Sequence, residues 1–512
     1  MSDNSIKNKR IAKNTLLLYF RMLFLMLISL YTSRVILDGL GVEDYGIYNV
    51  VGGFVSMFAI VSAALTSATT RFINYEQGKG DINRQTVVFS TSLTIQVVLT
   101  LIVLVLCETF GVWYIQNVMV VPEERLSASM WCFQFSVITF CANLITVPYN
   151  ASIIAHERMS VFAGISIFEG LAKLAIAFCI FYNPIDRLVF YALLLLLVQL
   201  VVCTTYHIYC FRKFEECKPR LLFDRPLFRS MLGYSVWHFV GNGAQIAKTQ
   251  GVNLVLNYFC GPVLNTARGI SNQIEGAVSG FASNFMMALN PQITISYAKG
   301  DNDYLMSLVN RGSKLSFFLL TILSLPVIIN ADFVLGIWLK EVPEYAVEFT
   351  QLSLICSIIA SLSRPLMTAQ NATGNVRNYQ LIIGSLLLLN LPFSYIALLL
   401  GFSPISIVVV ALFVELICLF ARIFLIPQTI PFFKPGRFII NVVLPCAVVM
   451  ALSSIIPTIL KYSLDYSVLN SLFNITVCLI ASSLCILFIG CSKSERLFLK
   501  DKFLTLFNKQ RN

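Results

Sequence analysis

Charge is what this sequence has least of. Lys, Arg, Asp and Glu make up 12% of its 512 residues, about half of the roughly 25% a soluble globular chain carries. A large soluble helical enzyme needs polar helix faces to meet water, and these residues are too few to build them. Histidine is nearly missing. His156, His207 and His238 lie too far apart in sequence to suggest a metal site. The 14 cysteines form no CxxC pair and are scattered, mostly inside apolar runs, as at Cys107, Cys141, Cys179, Cys356, Cys418 and Cys478. A free thiol there behaves as a small hydrophobe, so neither a disulfide nor a metal ligand is expected. There is no GxxxxGK[ST] phosphate loop, hence no ATP use by that route. Long polar loops are lacking too: the longest external segments run from about Gly111 to Arg125 and from Ala331 to Val347.

What is present is apolar sequence. Hydrophobic residues make up 57%, the mean hydropathy is +0.77, and a spanning helix needs roughly 20 such residues. Runs of that length centre near Leu25, Ala59, Leu99, Ile138, Ala172, Leu197, Ala247, Gly280, Leu319, Ile358, Leu387, Val409, Val448 and Ile480. The first extends from about Asn14 to Leu37, too long for the apolar core of a signal peptide and followed by no small-residue cleavage site. It reads as a retained helix. The expected class is an all-α integral membrane protein with about 14 transmembrane helices.

The formal net charge is +11, and its distribution matters more than its sum. One set of loops holds Lys7 to Lys13, then Arg71, Lys79 and Arg84, then Arg158, then Arg212 to Arg229. It continues with Lys299, Arg311 and Lys314, then Arg377, Lys434 and Arg437, and the tail from Lys493 to Arg511. The opposite set holds only Arg125, Arg187, Lys340 and Lys461. The positive-inside rule then places both termini in the cytoplasm. The basic balance has a topological cause, and no nucleic-acid partner is expected.

A repeat runs through the chain. Gly41 and Gly261, each read as opening a helix, are 220 residues apart, and so are Lys79-Gly80-Asp81 and Lys299-Gly300-Asp301. Leu144-Ile145-Thr146 leading to Asn150-Ala151-Ser152 is echoed by Leu366-Met367-Thr368 leading to Asn371-Ala372-Thr373. Each repeat holds six spans, an even number, so both enter the membrane in the same direction. The expected organisation is a six-helix lobe over residues 1–211, a cytoplasmic linker over 212–229, and a second six-helix lobe over 230–430. Residues 431–512 add two helices and a basic cytoplasmic tail. Two parallel lobes rocking about a midplane site give alternating access, a duplication that a membrane enzyme does not need.

Ionisable residues inside spans are costly and usually face a cavity or a partner. They are Arg21, Arg34, Glu169, Lys173, Lys248, Arg268, Glu275, Arg364, Glu415 and Arg422. Asn242, Gln245, Thr249 and Asn253 step along one helical face, as do Arg268, Asn272, Glu275 and Ser279. These stripes read either as a hydrated cavity wall or as hydrogen bonding between helices of one lobe, with Arg268 and Glu275 paired across two turns. Glu169 and Lys173 form an i, i+4 pair of opposite sign. Arg34 and Arg422, near helix ends, are expected to snorkel. Arg364 precedes Pro365, where a kink exposes backbone. Gly52-Gly53, Gly276, Gly280 and Pro291 read as hinges or as sites of close helix packing. The surplus of cations points to an anionic substrate. A pyrophosphate headgroup suits Arg21, Lys248, Arg268 and Arg364, because arginine binds phosphate through paired hydrogen bonds.

Three blocks resemble a known family. They are Thr70-Arg71-Phe72-Ile73-Asn74-Tyr75 with Gly78-Lys79-Gly80-Asp81; Pro148-Tyr149-Asn150-Ala151 with His156-Glu157-Arg158-Met159; and Ala267-Arg268-Gly269-Ile270 through Asn272-Gln273-Ile274 to Asn290-Pro291-Gln292-Ile293 and Tyr297. Together they resemble bacterial polysaccharide flippases of the Wzx type, in the multidrug/oligosaccharidyl-lipid/polysaccharide (MOP) exporter superfamily. The resemblance covers nearly the whole chain and marks scaffold more than substrate. It implies two six-helix lobes plus two helices in a bacterial plasma (inner) membrane. It also implies flipping of an oligosaccharide repeat unit on undecaprenyl pyrophosphate, for O-antigen or capsule assembly, with Arg21 and Arg268 as cavity cations. The implied partners are the lipid-linked oligosaccharide, the phospholipid bilayer and a polysaccharide polymerase. The substrate-binding set expected from residues and resemblance together is Arg21, Asn242, Gln245, Lys248, Asn253, Arg268, Asn272, Glu275 and Arg364, with no catalytic residue, metal or cofactor.

Three other readings stay open. A lipid II flippase also uses a cationic cavity. A cation-coupled multidrug antiporter of the same superfamily places an acidic residue in its first span, where this chain has Arg21 and Arg34 and no Asp before Asp38. A membrane-embedded polysaccharide polymerase or ligase commonly carries a large external catalytic loop, which is missing here.

Overall fold

The apolar runs become helices because backbone N–H and C=O groups in lipid have no water to turn to and must bond within the segment. The structure is a computed structural model that describes residues 3–56, 59–117, 123–182, 186–218, 224–339, 342–463, 467–491 and 496. The described residues are almost wholly helical and contain no strand. The basic tail expected after Lys493 lies outside them except for Arg496, and the side chains of Arg34 and Gly52-Gly53 are not among those described.

Among the described residues, fourteen long helices follow one another. They are α1 (Asp3–Ser56), α2 (Ala59–Lys79), α3 (Ile82–Asn117), α4 (Glu123–Ala155), α5 (Met159–Cys179), α6 (Arg187–Lys213) and α7 (Arg225–Ile246). Then come α8 (Val252–Lys299), α9 (Asn302–Ile329), α10 (Ala346–Thr373), α11 (Arg377–Leu399), α12 (Ser406–Gln428), α13 (Pro435–Ser463) and α14 (Val468–Gly490). Among the described residues, ten of them, α3 to α6 and α9 to α14, are long and apolar enough to cross a membrane. The other four apolar runs of the sequence fall on α1, on α2, on α8 and on the π turn Ala247–Gly251 between α7 and α8.

Gly41 and Gly261 do not open helices: α1 is continuous through the first and α8 through the second. Glycine weakens a helix by only about 1 kcal/mol, so without a cap or a left-handed residue the chain continues. α8 likewise runs unbroken through Gly276, Gly280 and Pro291. The Lys-Gly-Asp repeats do stop their helices. Gly80 (φ 77°) and Gly300 (φ 71°) take the left-handed conformation that ends a helix. After the first, the Asp81 carboxylate accepts the Arg84 N–H at 3.0 Å and caps α3. Arg71, read from sequence as a loop cation, lies within α2, two turns before that stop.

Two compact units result. Unit 1 comprises residues 1–242 and 287–301, and unit 2 comprises 243–286 and 302–512. In unit 1, α4 packs on α6 and α3 on α4; in unit 2, α10 packs on α12 and α9 on α10. The packing partners therefore repeat with the six-span offset. In unit 2, 61% of the apolar window of α9 is buried, against 22% for α13 and 17% for α14. The last two helices thus leave most of their apolar surface for lipid.

Candidate functional site

Serine lets two helices approach closely and supplies a hydroxyl at the seam, and the α8–α10 seam of unit 2 is built this way. Arg268 Nη1 donates to Ser353 Oγ at 2.5 Å, and Ser271 Oγ donates to the same oxygen at 3.0 Å. Ser279 and Ser357 share a hydrogen bond, and Arg364 Nη1 donates to Ser283 Oγ at 2.7 Å. The partners ascend together along both helices, so the two run in the same direction. Asn272, on the same face of α8, is exposed.

Beside this seam lies a buried ion-pair chain. Lys248, in the π turn before α8, donates Nζ to Glu415 Oε2 at 2.8 Å. Arg422, two turns further along α12, donates Nη1 to Glu415 Oε1 at 3.1 Å and to Ser363 Oγ at 3.1 Å. Glu415 is 6% exposed and Arg422 4%. Arg422 therefore does not snorkel to a helix end. A carboxylate seven residues earlier on its own helix holds it inside, where an unpaired guanidinium would be far costlier.

Glu275 sits among these groups differently. The fields of Arg268, Lys248 and Arg364 reach it, yet among the described residues it makes no ion pair or hydrogen bond. Arg268, seven residues before it, turns to Ser353 instead. Lys248, Arg268, Arg364 and Arg422 against Glu275 and Glu415 leave a formal charge of +2 in this cluster.

The remaining predicted residues fall elsewhere. Arg21 is on α1 in unit 1, with its guanidinium 4.5 Å from the centre of the Phe162 ring on α5. Its Nε is buried without a hydrogen-bond partner. Asn242 and Gln245 lie near the end of α7 and Asn253 at the start of α8. The intervening π turn carries one residue more than an α-turn, so their stripe does not continue straight along one face. Glu169 and Lys173 form the expected i, i+4 pair at 2.6 Å.

Sequence reasoning missed two arrangements. The Arg71 guanidinium lies 4.6 Å from the Phe72 ring, 4.7 Å from Tyr75 and 5.9 Å from Tyr234, cation–π stacking whose only sequence signal is the i, i+4 spacing to Tyr75. Arg125 bonds the carboxylates of both Asp44 and Asp186, partners too distant in sequence to pair by inspection. The His156-Glu157 block proves to be scaffold. His156 Nε2 donates to Glu216 at 2.5 Å while its Nδ1 accepts from Gln77 at 3.2 Å, and the Glu157 carboxylate accepts from Gln292 and, at 3.4 Å, from Arg10.

Comparison with known proteins bears on this architecture. The model of the MatE family, a family of transporters rather than enzymes, matches residues 248–396, which hold Lys248, Arg268, Glu275 and Arg364. The fold is similar to that of a multidrug resistance MATE family transporter of the MOP superfamily solved in an outward-facing conformation. That match has a TM-score of 0.70 at 12% identity and covers 84% of this chain and 97% of the other. A MOP superfamily transporter from Pyrococcus furiosus, described as having a binding pocket of reverse polarity that suggests a different function, aligns with a TM-score of 0.67 at 13% identity, over 82% of this chain and 96% of that one. Among curated proteins, the uncharacterized membrane protein EpsK of Bacillus subtilis (strain 168) is 21% identical over 301 residues, 58% of each chain. The match thus spans little more than half of that relative's length. The chain is a multi-pass integral membrane protein with the fold of the MATE transporters.

Proposed function

We propose that this protein is a flippase. It carries undecaprenyl-pyrophosphate-linked oligosaccharide repeat units across the bacterial plasma membrane by alternating access, for surface polysaccharide assembly, with both termini in the cytoplasm. One observation carries the reading: Arg268 and Arg364 lie on one helix seam, bound to serine hydroxyls and, among the described residues, to no carboxylate. A guanidinium in that position retains most of its charge and four further N–H groups for a ligand, and the donor fork matches phosphate oxygens. Lys248 and Arg422 both bond the Glu415 carboxylate, so their part is to hold α12 and the π turn in place. Arg21 adds a guanidinium on an aromatic face in unit 1. The similar transporter described as having a binding pocket of reverse polarity that suggests a different function supports a departure from drug and cation exchange within this fold.

A second reading rests on Glu275. An acidic side chain at membrane depth with no ion-pair partner suits proton or cation coupling, which fits a cation-coupled multidrug antiporter, or a coupled flippase. Deleting the gene and complementing with wild type, Arg268→Ala or Arg364→Ala separates the two. The flippase reading requires lost surface polymer with complete lipid-linked repeat units accumulating inside. Unchanged polymer with raised drug sensitivity establishes the antiporter.

A further inference from the structure

α7 begins with a stripe that changes character part-way. Arg225, Arg229, Leu232, Val236 and Phe239 step by 4, 3, 4 and 3 along one face. The two arginines are exposed, and among the described residues neither makes an ion pair or hydrogen bond. The apolar members, with Phe228, form one wall of a groove of about 430 Å³ in unit 1. The other wall is Ile95, Val98, Leu99 and Ile102 of α3, closed at its base by Leu65 of α2. The only polar lining residue, Ser235, has its hydroxyl committed to Met231 O at 2.8 Å. The groove therefore offers no hydrogen bond to a ligand. Val98, Ile102, Val236 and Phe239 leave 44–56% of their surface open, so it is accessible from the side.

We propose that this groove binds an anionic phospholipid, its acyl chain along α3 and α7 and its headgroup phosphate against Arg225 and Arg229. Both parts of such a lipid find their counterpart. From Phe228 to Phe239 the groove runs eleven residues, roughly 16 Å at 1.5 Å per residue, which accommodates much of one acyl chain in a bilayer leaflet roughly 15 Å deep. Arg225 and Arg229 stand at one end of the groove, each about one turn before an apolar lining residue, Phe228 and Leu232. The third cation at this end, Arg84, is already taken: its Nη1 donates to Asp224 Oδ2 at 2.6 Å. That ion pair fixes the start of α7 beside α3 and leaves the next two arginines to the ligand. The site is independent of the α8–α10 seam, which lies in unit 2, so it stands or falls apart from the transport reading.

The test uses purified full-length protein in detergent micelles and native mass spectrometry. The lipids are phosphatidylglycerol, phosphatidylcholine and a polyprenyl phosphate, and the variants are Arg225→Gln/Arg229→Gln and Leu232→Trp. Wild type is expected to retain phosphatidylglycerol about tenfold better than phosphatidylcholine, the scale set by arginine–anionic-lipid contacts. The double glutamine variant loses that preference while still retaining lipid. Leu232→Trp fills the groove and loses both lipids, with an unchanged unfolding temperature excluding misfolding. Equal retention of the two phospholipids, or a preference surviving in the double variant, overturns the proposal. So does polyprenyl phosphate displacing phosphatidylglycerol at equal concentration, which reassigns the groove to a substrate tail.

Discussion

Lys248 and Glu415 stand 167 residues apart in the chain and 2.8 Å apart in space. The bond joins the π turn ahead of α8 to the middle of α12. Arg422 takes the second oxygen of the same carboxylate at 3.1 Å. Replacing Lys248 with Ala removes one of the two cations bonded to the buried Glu415 carboxylate and takes the donor from its Oε2. The expected cost is about 3 kcal/mol, the low end for breaking a buried pair because Arg422 remains. A double-mutant cycle with Glu415→Gln, read by thermal unfolding in detergent, should show a coupling of about 1–3 kcal/mol. Additive effects would mean the pair contributes no stability.

The arginines divide by partner. Arg422→Ala removes one of the two cations that hold the buried Glu415 carboxylate, leaving Lys248, and should lower the amount of folded protein in the membrane. Arg268→Ala and Arg364→Ala remove only bonds to serine and should leave folded protein near wild type. Their transport should fall about 10- to 100-fold, the value of one charge-assisted hydrogen bond of 1.5–3 kcal/mol. Protein amount and transport measured side by side check the division.

Much of this was legible in the sequence, and the exceptions share a cause. Ten apolar runs land on helices that meet the length and hydropathy of a span, because apolarity over 20 residues is a local property. Partner choice is not local. Glu415 and Arg422 are seven apart on one helix and pair; Arg268 and Glu275 are seven apart on one helix and do not. The difference lies in the neighbouring helix, which offers Ser353 to Arg268, and no spacing within α8 reveals it. Arg422 was read as a snorkelling residue for the same reason, since its position near a helix end is visible in sequence and its burial is not. The continuity of α1 and α8 through Gly41 and Gly261 was misread because glycine permits a turn without requiring one.

Glycines give a third prediction. A Cβ at Gly80, or one at Gly300, would meet no atom within 4 Å, yet both positions have φ above 70°. Gly80→Ala and Gly300→Ala should each cost about 1–2 kcal/mol from backbone conformation alone. Gly276 also has open space around it but lies inside α8. Gly276→Ala should stabilise the helix by about 0.5–1 kcal/mol. If stability rises while transport falls, Gly276 is a hinge; if both rise or hold, it is not.

Acid should loosen the start of α7. The Leu227 N–H and the Arg84 guanidinium hold the Asp224 carboxyl below its usual range. A group whose folded pKa is depressed adds stability above its unfolded value, near 4, and loses it as pH falls through the folded value. The contribution is therefore complete at neutral pH and disappears only below about pH 4. Asp224→Asn should flatten the corresponding part of a stability–pH curve, followed by unfolding of the purified protein between neutral and acidic pH.

Guanidiniums on the α8–α10 seam that bond serine hydroxyls are expected to serve an anionic lipid-linked substrate. The most direct measurement places purified wild type and the Arg268→Ala/Arg364→Ala variant in proteoliposomes with a fluorescent polyprenyl-pyrophosphate oligosaccharide and follows its movement between leaflets with a membrane-impermeant quencher. The account predicts protein-dependent flipping by wild type and its loss in a variant that reconstitutes equally well. Flipping that persists undiminished without both arginines would contradict it.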